Sequence, residues 1–162
     1  MFLKSFVFLE TYFAPKCAIL NPMKGEDVLQ SYFHDGDGFC PLLIRPGWQV
    51  SHLNDRTDLH ADTLRQVEKH DATDEVFILV KGDAALVIGI ERANAFALKI
   101  VPMKTGVTYN IPCGVWHTIV TSPGMQVMIV EKDNTHVADV MYRALTDGER
   151  EALRAKLETE NL

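Results

Sequence analysis

The sequence predicts an all-β fold, many short strands forming a sandwich or barrel, followed by one C-terminal helix. Two observations carry this. From Pro41 to Glu131, β-prone runs of a few residues recur at regular spacing, with Gly, Pro, Asn or Asp clusters between them. Beyond them, Thr146-Asp147-Gly148-Glu149 has the capping-box form, Thr then Glu three residues later. It opens a helix over about 147–160 that sets Leu153 and Leu157 on one face.

The elements follow in order. Pro41–Arg45 leads into the turn Pro46-Gly47, and Trp48–Leu53 alternates as a strand. Asn54–Asp62 is polar and reads as a loop. Thr63–His70 alternates, so Glu68 and His70 point the same way. Glu75–Val80 is strongly β-prone, Lys81-Gly82-Asp83 is a hairpin turn, and Ala84–Glu91 is its return strand. Ala97–Pro102, Val107–Ile111, Trp116–Thr121 and Gln126–Glu131 complete the series. The interior is expected to hold Val50, Phe77, Leu79, Leu86, Ile88, Ile119 and Val127 or their strand neighbours. The helix is expected on the outside of the barrel.

The chain has 162 residues, 47% of them hydrophobic and 23% charged, enough for one domain with a real core. A net charge of −6 argues against a nucleic-acid surface. Met1–Phe13 is apolar, but Glu10 and Thr11 interrupt it, so neither a secretory signal nor a membrane span is expected. Met23 begins a more polar opening. Residues 1–22 are therefore expected to be an N-terminal extension, a strand exchanged in a dimer, or the product of an upstream start codon. The barrel is expected over 23–145 and the helix over 146–162. Cys17, Cys40 and Cys113 have no zinc or disulfide spacing, and read as free thiols in a reducing cytoplasm.

Two stretches carry the chemistry. His70 ends one strand and Glu75 begins the next after a tight turn. This brings an imidazole and a carboxylate to one mouth of the barrel. His117 opens a later strand, behind a turn fixed by Pro112 and Gly114. Imidazole and carboxylate donors at one end of a barrel suit a divalent transition metal. Asp74 reads as a cap on the turn before Glu75. Tyr109 and Trp116 read as wall or packing residues. Trp48 and His52 share one strand face that lines the pocket, the core or the surface. His34, His60 and His136 have no evident partner.

These stretches resemble the two motifs of the cupin superfamily. The first motif has the form His-x-His, three or four residues, Glu, six residues, Gly. Here Glu68-x-His70 is followed by four residues, Glu75, six residues and Gly82. The second has the form Gly, five residues, Pro-x-Gly, two residues, His. Here Gly106 is followed by five residues, Pro112-x-Gly114, two residues and His117. The second motif matches at every defined position. The first departs at Glu68, which replaces a histidine. The resemblance spans Trp48 to Glu131, about half the chain.

The resemblance implies a cupin-type double-stranded β-helix, a jelly-roll barrel of two antiparallel sheets, with a C-terminal helix. It implies a divalent metal (Mn, Fe, Zn or Ni) on His70, Glu75 and His117. Glu68 is either a fourth ligand or a general base, unless it turns away to pair with Lys69 or Arg65. It also implies a homodimer and a small-molecule ligand, with neither nucleic acid nor membrane as partner. The expected function is a metal-dependent enzyme acting on a small polar metabolite, a carboxylate or sugar acid. A dioxygenase, isomerase or lyase fits, and the alternative is a non-catalytic binding or sensing cupin.

Overall fold

The computed structural model of the chain describes residues 29–93 and 95–160. The expected N-terminal extension, 1–22, lies outside them. In chain order the strands are β1 (Phe39–Arg45), β2 (Trp48–Asn54), β3 (Gln66–Lys69), β4 (Glu75–Lys81) and β5 (Ala84–Arg92). They continue as β6 (Ala95–Pro102), β7 (Thr108–Ile111), β8 (Trp116–Thr121), β9 (Gln126–Glu131) and β10 (Met141–Ala144). A 3-10 turn spans Thr57–Leu59, a short helix α1 spans Thr135–Ala138, and helix α2 spans Asp147–Thr159.

The strands form two five-stranded antiparallel sheets, ordered β1-β2-β9-β4-β7 and β10-β3-β8-β5-β6. The core between them contains Leu53, Phe77, Leu79, Leu86, Ile119, Met125, Val127 and Ile129. Ile88 packs against it half-buried. A second cluster covers the outer face of the second sheet. There Val67, Ala85, Val87, Leu98 and Val120 meet Leu153 and Leu157 of α2. Strand β5 is thus buried on both faces, which is why its sequence is a nearly unbroken apolar run. The capping box is formed: Thr146 Oγ1 accepts from the Glu149 amide and the Glu149 carboxylate accepts from the Thr146 amide.

Several expectations are corrected. Val50 is not a core residue, because the buried face of β2 carries Gln49, Ser51 and Leu53. Trp48 and His52 share the opposite face, and Trp48 is exposed. A polar inner face is allowed here because Gln49 and Glu131 satisfy each other's hydrogen bonds. The strand expected over Thr63–His70 is shorter. Thr63 and Leu64 donate their amides to the His60 carbonyl, so the chain is still turning there. Strand β10 and helix α1 were not expected. β10 adds beside β3, pairing Tyr142 with Glu68. Cys40, fully buried, is disulfide-bonded rather than a free thiol, which removes the cysteine-based ground for a reducing compartment. Cys113 is free and exposed. Among the described residues no helix is long and apolar enough to cross a membrane.

Gly82 and Gly47 test what the hairpin turns require. Both have positive φ, +74° and +91°. A Cβ on Gly82 would lie 2.7 Å from Met125 Cα, whereas one on Gly47 would meet nothing within 4 Å. Gly47→Ala should therefore cost only the left-handed backbone penalty, roughly 1–2 kcal/mol. Gly82→Ala should cost that plus a further ~1–3 kcal/mol for overpacking. Equal losses in urea unfolding would show that the Met125 contact is not limiting.

Candidate metal centre

The two motif turns are joined to each other by hydrogen bonds. The Gly114 amide donates to the His70 carbonyl at 2.7 Å. Asp74 accepts from the Cys113 amide at 2.9 Å and from Asn110 Nδ2 at 3.0 Å. Asp74 thus ties the first turn to the second as well as preceding Glu75. Asp139, just after α1, holds the other side. Its carboxylate accepts from the amides of Asp71 and Ala72, at 3.2 and 2.8 Å, and its carbonyl accepts from His70 Nδ1.

These contacts fix how the imidazoles are presented. His70 Nδ1 bonds the Asp139 carbonyl, and His117 Nδ1 bonds the Val115 carbonyl at 2.8 Å. Backbone carbonyls accept only, so both Nδ1 atoms carry hydrogen and both Nε2 atoms face inward. They converge on Glu75, whose Oε2 lies 2.7 Å from His117 Nε2 and 3.3 Å from His70 Nε2. All three side chains are buried.

Glu68 stands opposite His117 in the β3–β8 register and lines a cavity together with His70 and Glu75. Lys69 pairs with Asp71 at 3.1 Å and lies over the Trp116 ring. One donor atom each from Glu68, His70 and His117 lies within 4.8 Å of the others. The same holds for His70, Glu75 and Glu131. The donor set of inward-aimed imidazole nitrogens and carboxylate oxygens fits a divalent transition metal.

Two antiparallel five-stranded sheets carry the Glu and the two His on β4, at the end of β3 and on β8. The motif glycines Gly82 and Gly114 take positive φ in the turns, +74° and +78°. The architecture is a jelly-roll barrel of two antiparallel sheets. No protein-family model matches the chain, and no curated protein matches it. Among solved structures it is similar to a cupin-2 domain protein from Shewanella frigidimarina, with 20% identity over 62% of this chain and 84% of that one and a TM-score of 0.42. It is similar to Streptomyces PAC13 with uridine, with 12% identity over 72% and 88% and a TM-score of 0.47. It is also similar to KdgF from Halomonas, with 10% identity over 59% and 77% and a TM-score of 0.40.

Three residues at the site were not placed there by the sequence motifs: Glu131, Gln49 and His136. Glu131 ends β9 and points into the cavity beside Glu75 and His70. Gln49 Nε2 donates to Glu131 Oε1 at 2.7 Å, and Gln49 Oε1 accepts from the Asn134 amide at 2.8 Å. His136, on α1, lines the cavity and packs against Phe39 with ring centroids 5.3 Å apart. Glu131 was accessible to strand alternation, since it follows Val127 and Ile129 on one face. Gln49 was not, because nothing local marks a glutamine as inward-facing. Tyr109 accepts from the Lys104 amide, and Trp116 Nε1 donates to Glu91, so both serve packing. His60 pairs with Asp55 at 2.7 Å, and buried His34 bonds the Gly38 carbonyl.

The electrostatics are those of a crowded buried cluster. Burial works to lower the His70 pKa. Hydrogen bonds to Glu75 and the Asp139 carbonyl, with the charges of Glu75 and Glu68, outweigh it and raise it to about 9. His117 is raised by the same contest, burial against Glu75. Burial would raise Glu75, but its bonds to His117 and His70 hold it below the usual range. Glu68 is pushed up by burial and the Glu75 charge. Glu131 is pushed up to about 7 by the same two causes.

In metal-free protein, the raised His70 pKa contributes stability that is complete below about pH 6.5 and is lost as pH rises through about 9. Metal binding has the opposite sign, because an ion must displace those protons. Mn²⁺ affinity should climb between about pH 6 and pH 9 and then level off. The slope should be shallower in His70→Ala. A pH-independent affinity would show that no imidazole proton is displaced.

Proposed function

We propose that this chain is a metal-dependent cupin enzyme acting on a small oxygen-bearing metabolite of the carboxylate or sugar-acid class. The observation that supports it most is the convergence of His70 and His117 on Glu75, beside a cavity of about 670 Å³ that His70, Glu75, Glu68 and Glu131 line. That volume falls in the range of small-molecule sites, about 300–1,000 Å³. His70, Glu75 and His117 would hold the ion, with Glu68 as the fourth donor. When bound, a divalent ion supplies Lewis-acid polarisation of substrate oxygens.

The chain's own residues do the rest. The Asp139 and Val115 carbonyls hold both imidazoles in the ligating tautomer. Gln49 orients the Glu131 carboxyl, which faces the cavity as a proton donor or acceptor. The buried floor excludes bulk water from the donor atoms. Homodimer formation belongs to the same proposal.

Elemental analysis of protein purified without chelator or added metal should find one transition-metal ion per chain. Adding excess metal to the stripped protein should raise its unfolding midpoint, by about 2.7 kcal/mol equivalent at a hundredfold excess over Kd. His117→Ala should abolish that shift. Glu68→Gln should weaken metal binding without unfolding the barrel. Unchanged metal content with lost turnover would assign Glu68 as a general base instead. Ligand binding without turnover across a metabolite panel would favour a binding or sensing protein. Absence of metal in the wild type, with no stabilisation by added ions, would overturn the proposal.

A further inference from the structure

The walls of the cavity say more about its ligand than the metal cluster does. Leu53, Phe77, Ile119 and Ile129 belong to the barrel core, yet they also line the cavity, joined by Phe39 and Leu59. The polar groups gather elsewhere. Glu68, His70, Glu75 and Glu131 sit together at the candidate metal centre. Among the other polar lining residues, Asp58, Arg65, Gln66 and Tyr142 are exposed, Arg56 is engaged with Asp58 at 2.9 Å, and His136 Nδ1 is paired with Gln49 Nε2 at 3.3 Å. Thr63 donates to the Thr57 and His60 carbonyls.

A ligand seated on the metal centre therefore lays the rest of its body against hydrocarbon. A sugar acid carries a hydroxyl on nearly every ring carbon. Each hydroxyl buried there without a partner loses its hydrogen bonds to water and gains none. A hydrocarbon or aromatic body gains from the same wall, in proportion to the apolar surface it takes out of water.

We infer that the ligand of this cavity has two unlike ends: an oxygen-chelating head at the His70–Glu75–His117 cluster and an apolar, preferably aromatic, body against Leu53, Leu59, Phe77, Ile119 and Ile129. Of the two classes named above, this selects an acid or enol on a hydrocarbon frame and rejects a sugar acid. Only the head-group half rests on the metal reading. The body half rests on the cavity wall alone.

The test uses full-length protein loaded with Zn²⁺ and three probes. Benzohydroxamate and acetohydroxamate share one chelating head and differ in the body, and D-galacturonate is a sugar acid. Calorimetric titration should show benzohydroxamate binding at least tenfold tighter than acetohydroxamate, with galacturonate no tighter than acetohydroxamate. Leu59→Ser, half-buried at the cavity wall, should shrink that ratio several-fold while Zn²⁺ stoichiometry is unchanged. Equal hydroxamate affinities, or galacturonate as the tightest probe, would overturn the inference. If the protein takes up no metal, the functional proposal fails. The body preference is then read on the metal-free chain with phenylacetate against acetate. A tighter phenylacetate keeps the apolar-body inference, and equal binding ends it.

Discussion

Glu75 is a carboxylate taken almost wholly out of water, and the site is organised around keeping it charged. A buried carboxylate without partners is too costly to persist as an anion. Here two Nε2 atoms face it, 2.7 and 3.3 Å away, and its hydrogen bonds and charge raise the pKa of both imidazoles against the effect of burial. The arrangement depends on two turns far apart in sequence being fixed to each other. The Gly114–His70 and Cys113–Asp74 bonds do that, and Asp139 braces the first turn from its other side.

The barrel interior is divided accordingly. Between the sheets, one end is apolar and supplies the core. The other holds a network in which Gln49 links Glu131 to the Asn134 amide at the start of α1. Short helix α1 and the residues after it bring His136, Val137 and Val140 to the cavity and the Asp139 carbonyl to His70. The segment between β9 and β10 thus both closes the cavity and orients a candidate ligand.

Much of this was legible in the sequence, for identifiable reasons. Period-two alternation put Glu68 and His70 on one face, and the capping box at Thr146 set the start of α2. What stayed hidden depends on long-range partners. The inward face of β2 is Gln49-x-Ser51-x-Leu53, and a pattern rule prefers Val50, because it cannot know that Glu131 waits across the β2–β9 pair. Strand β10 is four residues whose only guide is the edge of β3. Helix α1 is a single turn with no side-chain cap, so it leaves no local signature.

Two imidazoles and carboxylate oxygens should meet at one ion. X-ray absorption at the zinc edge of the Zn²⁺-loaded chain addresses it directly. Nitrogen and oxygen neighbours are expected at about 2.0–2.2 Å. Outer-shell scattering should correspond to two imidazoles, falling to one in His117→Ala. A sulfur neighbour at about 2.3 Å, or a spectrum unchanged by His117→Ala, would contradict it.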